Sequence, residues 1–235
     1  MKKLRRSGRQ KSRAPLTRDR VLRAAIGIAD KDGIDAVTMR RLGQELGVEA
    51  MSLYHHVASK DDVVEGMADL LVSEIPPPPQ GTDWKAALRG RAMSARAHLS
   101  GHPWAFRLIW NTRGLSPSTM DHHQAVIGDL IAGGLSNQLT HTAMHVLGSR
   151  TFGFADDLFL GNDRGHEAAR KMLAEVRAGK YPVIANALVG VHHDDDLEFA
   201  FALDLILDGL ERARDEERRA ATANAKRGAT VSSPR

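Results

Sequence analysis

The chain has 235 residues, enough to bury a substantial core in one or two domains, and its 42% hydrophobic and 26% charged content excludes wholesale disorder. It has no cysteine, which removes disulfides, thiolate zinc sites and cysteine nucleophiles together; no apolar run approaches the roughly 18 residues of a spanning helix, so no membrane and a cytoplasmic location are expected. The net charge of +4 hides an asymmetry: residues 1–60 hold 14 Lys and Arg against 6 Asp and Glu, leaving −4 on the rest, the distribution of a polyanion binder with a separate second function.

Residues 1–16, MKKLRRSGRQKSRAPL, carry seven basic residues and no acid, so a disordered basic arm is expected. Such an arm either solubilises the chain or lies on a phosphate backbone or in a minor groove. Thr17 is the expected N-cap of a first helix, in which Leu22, Ala25, Ile26 and Ala29 share a face and which Gly33 stops. A second helix opens at Thr38, places Met39, Leu42 and Leu46 on one side, and ends at Gly47. A third short segment, Glu49 to His56, follows almost at once. Ser59-Lys60-Asp61-Asp62 is a capping box opening a helix with Val63, Val64, Met67, Leu70 and Leu71 inward, and Pro76 to Pro79 terminate it.

Beyond the prolines the pattern predicts helices over Asp83–Ser100, Pro103–Thr112, Ser118–Ala132, Asn137–Leu160, Glu167–Ala178 and Asp195–Arg214. After Glu217 the chain turns to Arg, Ala, Thr and Ser and is expected to fray. The predicted fold is all-α: a three-helix helix-turn-helix domain with its connecting helix over residues 17–75, a larger helical domain over 83–214, and a disordered tail over 215–235.

Two short helices meeting at a glycine-containing turn are what a DNA-reading helix-turn-helix requires. Gly43 is small where the helices would cross, and Gly47 permits the turn. Leu42, Leu46, Val48, Leu53 and Val57 would fix the angle, leaving Ala50, Met51, Ser52, His55 and His56 outward. On spacing alone, the same residues also fit one hairpin of an ordinary helical bundle.

The run VTMRRLGQELGVEAMSLYHHVASKDDVVEGM resembles the DNA-binding module of the TetR family, and its LGVEAMSLYHHV core is similar to the tetracycline-repressor branch. FAFALDLILDGLE, Phe199 to Glu211, resembles the last helix of that branch, whereas residues 80–195 match only in helical style. The resemblance implies a homodimeric transcriptional repressor on a palindromic DNA operator, released by a small organic effector, with no catalytic residues and no cofactor. It further implies that Thr38 and Arg40 open the first helix of the motif against the backbone and that Ala50, Met51 and Ser52 face base edges. Tyr54 and His56 would reach phosphates, His55 would sit at the groove, and Lys60 would neutralise a phosphate. Ser52 can donate or accept and Met51 can touch a thymine methyl, but the segment lacks the Arg, Asn and Gln that read bases bidentately, so the base sequence is not legible.

Two symmetric reading heads are needed for adequate specificity, so dimerisation is expected. In the last helix Phe201, Leu203, Leu205, Ile206, Leu207 and Leu210 spread over more than one face, which suits either a partner helix or burial in a monomer core. His98, His102, Trp104, Phe106 and Trp110 concentrate aromatic and polar groups that fit an effector pocket or ordinary core packing. The resemblance places Ile109 where tetracycline repressors carry a metal-binding histidine, which argues for a different, apolar effector. His141 and His145, one turn apart, lack the glutamate of a zinc-protease helix and a third ligand; a pocket wall or packed polar role is expected, and no metal is assigned. Residues 192–196, HHDDD, read as a solvated turn whose Asp195 caps the last helix. A helical enzyme or carrier with a basic appendage is the competing class, but no acid–base pair, nucleophile or phosphate-cradling loop supports it; non-specific DNA compaction is a third.

Overall fold

The computed structural model describes residues 15–111, 116–152, 170–172, 174–176, 178–188 and 194–231. No strand occurs among them, and none of their helices is long and apolar enough to cross a membrane. The expected arm over residues 1–16 lies almost wholly outside the described residues, as do 153–169 and His192-His193. The chain divides into two compact units, Met1–Met67 and Ala68–Arg235.

In the first unit the Thr17 side chain accepts the Arg20 N–H and starts α1 (Arg18–Asp32), which buries Val21, Leu22, Ala25, Ile26, Ile28 and Ala29. Gly33, at φ 85°, stops it in a conformation that a side chain would strain. After a 3₁₀ turn (Ile34–Ala36), Thr38 caps α2 (Met39–Leu46) by accepting from Arg41 N–H. Gly47, left-handed at φ 65°, turns the chain into α3 (Ala50–Leu53), and α4 (Lys60–Ser73) follows. Val37, Leu42, Leu46, Leu53, Val57, Val63 and Met67 are buried with the α1 face. A Cβ on Gly66 of α4 would come within 2.8 Å of the Leu22 side chain, so glycine permits the close approach of α4 to α1.

The second unit contains α5 (Trp84–Leu99), α6 (Pro103–Asn111), α7 (Pro117–Ala132), α8 (Asn137–Phe152), α9 (Pro182–Leu188) and α10 (Asp195–Val231). Its core joins Leu88 and Ala92 of α5, Val126 and Leu130 of α7, Ala143 and Leu147 of α8, and Phe199, Leu203, Leu207 and Leu210 of α10. Ion pairs fix the register of α5 on α10: Lys85 meets Asp208 and Glu211, Arg89 meets Asp204 at 2.8 Å, and Arg96 meets Asp196 at 2.8 Å. Such partly exposed pairs contribute little each, roughly 0.2–1 kcal/mol, but the wrong register would break all of them. Arg214 donates to the Gly133 carbonyl at 3.1 Å and stacks 5.4 Å above the Trp84 ring, tying α10 to the end of α7.

Three expectations are corrected. The chain does not fray after Glu217: α10 continues to Val231, because residues 215–227, DEERRAATANAKR, are mostly strong helix formers with no Gly or Pro. Asp194, not Asp195, caps α10, its carboxylate accepting from Asp196 and Leu197 N–H at 3.0 and 2.9 Å. In the Ser59 capping box the forward bond forms, Asp62 N–H to Ser59 Oγ at 3.0 Å, but the returning carboxylate takes the Ala58 N–H at 2.7 Å. Helix α9 was not legible, since its seven residues hold too little periodicity.

Candidate nucleic-acid interface

The crossing of α2 and α3 is a close backbone contact. A Cβ built on Gly43 would stand 2.8 Å from the Val48 carbonyl oxygen and 3.2 Å from the Ala50 nitrogen, so only glycine fits without displacement. Leu42, Leu46 and Leu53 are buried beneath that contact, and Val57 is 2% exposed. The four-residue α3 is too short to be stable alone and is held by these neighbours.

This bracing turns specific side chains outward. Met51 is 71% exposed and Tyr54 46%, unusual for large apolar side chains with a core so near. His55 is exposed, while Ala50, Ser52 and His56 are half-buried along the same short segment. Thr38 spends its hydroxyl oxygen on the Arg41 N–H. Arg40 and Lys60 are exposed and have no ion-pair partner among the described residues, whereas Arg41 pairs with Asp32 at 3.2 Å.

The sequence did not single out the brace on the other side of the motif. Arg18 of α1 grips the Asp62 carboxylate with two bonds, 2.8 and 2.6 Å, while Asp62 also accepts the Ala58 N–H. The Arg18 hydrogen bond, helped by Ala58 N–H, holds the Asp62 carboxyl below the usual carboxylate range. The turn carrying His55, His56 and Lys60 is thereby anchored to α1. The acid at the third position after Ser59 was the available signal; its long-range partner was not.

Only some of the expected effector residues come together. Phe106 is buried, and His98, His102 and Trp104 are half-buried, their rings meeting edge-on with centroids 6.0 and 6.1 Å apart. The Nε2 of His98 is buried without a hydrogen-bond partner. Trp110 belongs to α6, but its side chain lies outside the described structure. Ile109 is buried and apolar, 5% exposed, and offers no metal ligand. His141 and His145, expected in a pocket wall or packed in the interior, are instead exposed on α8, since the buried side of that helix runs through Thr140, Ala143 and Leu147.

An open cleft of about 260 Å³ in the second unit was not foreseen. Val72, Ile75, Pro77, Arg91, Ser118 and His122 are among the residues that line it. Burial, then the neighbouring Arg91 charge, lowers the His122 pKa to about 4, so its ring is neutral at physiological pH. Arg91 is held by Asp129 at 2.7 Å, and the Ser118 N–H donates to Asp69 of α4 at 2.9 Å.

Comparison with known proteins agrees with this architecture. Residues 21–67 match the family model described as bacterial regulatory proteins, tetR family, and residues 76–214 match the tetracyclin repressor-like, C-terminal domain, so the likeness extends through the middle of the chain. The HTH-type transcriptional repressor DrrR1 of Streptomyces coeruleorubidus is 33% identical over 221 residues, covering 87% of this chain and 82% of that protein. The class C tetracycline repressor protein of Escherichia coli is 26% identical, covering 85% of this chain and 92% of the repressor. The crystal structure of Streptomyces coelicolor ActR in complex with actinorhodin matches with a TM-score of 0.66 and 27% identity, covering 86% of this chain and 99% of ActR. With a short helix exposed on a braced helix-turn-helix and both family domains matched, the chain belongs to the TetR family and is a DNA-binding transcriptional regulator, not an enzyme.

Proposed function

We propose that the protein is a homodimeric repressor that holds a palindromic operator through one α3 per copy and is released by a small organic effector. The observation that carries this reading is the 71% exposure of Met51 beside Ser52 on a helix whose other face is locked into a core. Ala50, Met51 and Ser52 then meet base edges, His55 sits at the groove, Tyr54, His56, Thr38 and Arg40 contact the backbone, and Lys60 neutralises a phosphate. The second copy docks on α10 and on the Val146 side of α8. Leu197, Phe201 and Leu205 are 69%, 67% and 53% exposed at four-residue spacing, on the side of α10 away from buried Phe199, Leu203 and Leu207.

The effector is taken up in the second unit beside His98, whose unpartnered Nε2 supplies a polar contact next to the His102 and Trp104 rings. A second reading puts it in the cleft lined by Val72 and His122, favoured because the end of α4 forms part of that wall. Helix α4 begins in one unit and ends in the other, so it is the covalent route by which occupancy reaches the DNA-reading segment. A coupling of about 1–3 kcal/mol changes operator affinity roughly 5–150-fold.

Selection of bound fragments from the source genome, followed by gel-shift competition, tests the reading. A palindromic fragment that survives excess unrelated duplex supports it. Equal competition by every duplex, or a stable monomer in solution, overturns it.

A further inference from the structure

The exposed face of α8 holds a second constellation that DNA binding does not use. His141 and His145 lie one helical turn apart, both exposed, with ring centroids 4.7 Å apart and their Nε2 atoms 3.3 Å from each other. With Zn–N bonds of about 2.0–2.1 Å, two ligands on one edge of a tetrahedron stand about 3.3–3.4 Å apart. The pair already has that separation. From Asn137 to Ser149 the helix carries no charged residue, so no cation on this stretch repels a metal.

We propose that His141 and His145 form a bidentate site for a late first-row divalent cation, zinc first, with water completing the coordination. In the metal-free chain one imidazole N–H is shared between the two Nε2 atoms. The cation takes the place of that hydrogen, and the donating ring moves its proton to Nδ1, so both rings present Nε2 lone pairs and no net proton is released. No third His, Cys, Asp or Glu joins the pair among the described residues, which leaves the remaining positions open to solvent. Chelation links one turn of α8 to the next and stabilises the folded chain by mass action. It does so on the helix that also exposes Val146 at 41%, beside the surface assigned to the second copy.

The test uses the untagged full chain, titrated with Zn²⁺ calorimetrically and followed by thermal melting. One ion per chain with a raised Tm is expected. His141→Ala and His145→Ala should each weaken binding more than about tenfold and abolish the Tm rise, since losing a ligand costs at least as much as losing an outer-shell partner. Both positions are exposed, so metal-free melting should be unchanged, which separates lost chelation from lost fold. A His55→Ala/His56→Ala variant should bind Zn²⁺ as the parent does. Undiminished Zn²⁺ binding in either α8 variant, one ion per two chains, or no binding by the parent chain overturns the proposal.

Discussion

Substituting Lys60 by alanine separates a phosphate contact from a structural role, because the helix itself gains nothing from this lysine. Lys60 is the first residue of α4, exposed, and a positive charge there opposes the helix dipole. Its removal should therefore leave thermal stability equal or slightly higher. If each Nζ neutralises one phosphate, a dimer loses two such contacts, and the slope of log affinity against log salt should flatten by about 1.8, from roughly 0.9 per phosphate. Between 50 and 200 mM salt, the parent should lose about tenfold more affinity than the variant does. Operator and unrelated duplexes should be affected alike, since a phosphate contact carries no base information. The measurement is a fluorescence anisotropy titration at four salt concentrations on both duplexes. An unchanged slope with weakened binding would refute the phosphate role and point to a rearranged turn.

Gly43→Ala should destabilise the first unit by about 1–3 kcal/mol and abolish specific binding, because its Cβ must displace the Val48 carbonyl 2.8 Å away; melting and gel shift check it. His122 should make stability depend on acid. Its folded pKa of about 4 lies below the usual 6.5, so its contribution is complete above pH 6.5 and falls by about 3 kcal/mol as pH drops toward 4. His122→Gln should remove that part of the slope, as measured by urea unfolding across the range. Phe201→Glu with Leu205→Glu should leave the core of α10 intact yet turn the proposed dimer into a monomer by sedimentation, since both side chains are more than half exposed.

Local signals made the first unit legible. Thr17 and Thr38 cap where their hydroxyls precede apolar periodicity, Gly33 and Gly47 stop helices where a positive φ is required, and Gly43 sits where a Cβ would meet backbone. What the sequence withheld was long-range. Arg18 and Asp62 are 44 residues apart, and only the folded chain shows that they hold the turn together. The same holds for Gly66 against Leu22 and for the α5–α10 ion pairs, none of which leaves a periodic trace. The effector residues were chosen because aromatics cluster along the chain, yet adjacency in sequence is not convergence: Phe106 is buried, while His141 and His145 face outward. The cleft at Arg91 and His122 draws on α4, α5 and α7, segments that no local pattern connects. The end of α10 was misread because polarity was taken for disorder; Ala, Glu, Arg and Lys propagate a helix already nucleated and packed upstream.

The composition of α3 also bears on why the second face of α10 matters. Met51 and Ser52 offer a methyl contact and one hydroxyl, and neither gives the bidentate discrimination of Arg on guanine or Asn on adenine. One such helix reads few base pairs weakly, so a single copy would bind largely through charge, and charge does not distinguish sequences. Joining two copies makes the second contact intramolecular and multiplies two modest preferences, provided the heads keep the spacing of one helical turn of DNA. Weak reading heads therefore make specificity depend on what sets their separation. If two copies join as proposed, a small change in that separation would remove most of the preference, without any need to block the proposed reading residues themselves.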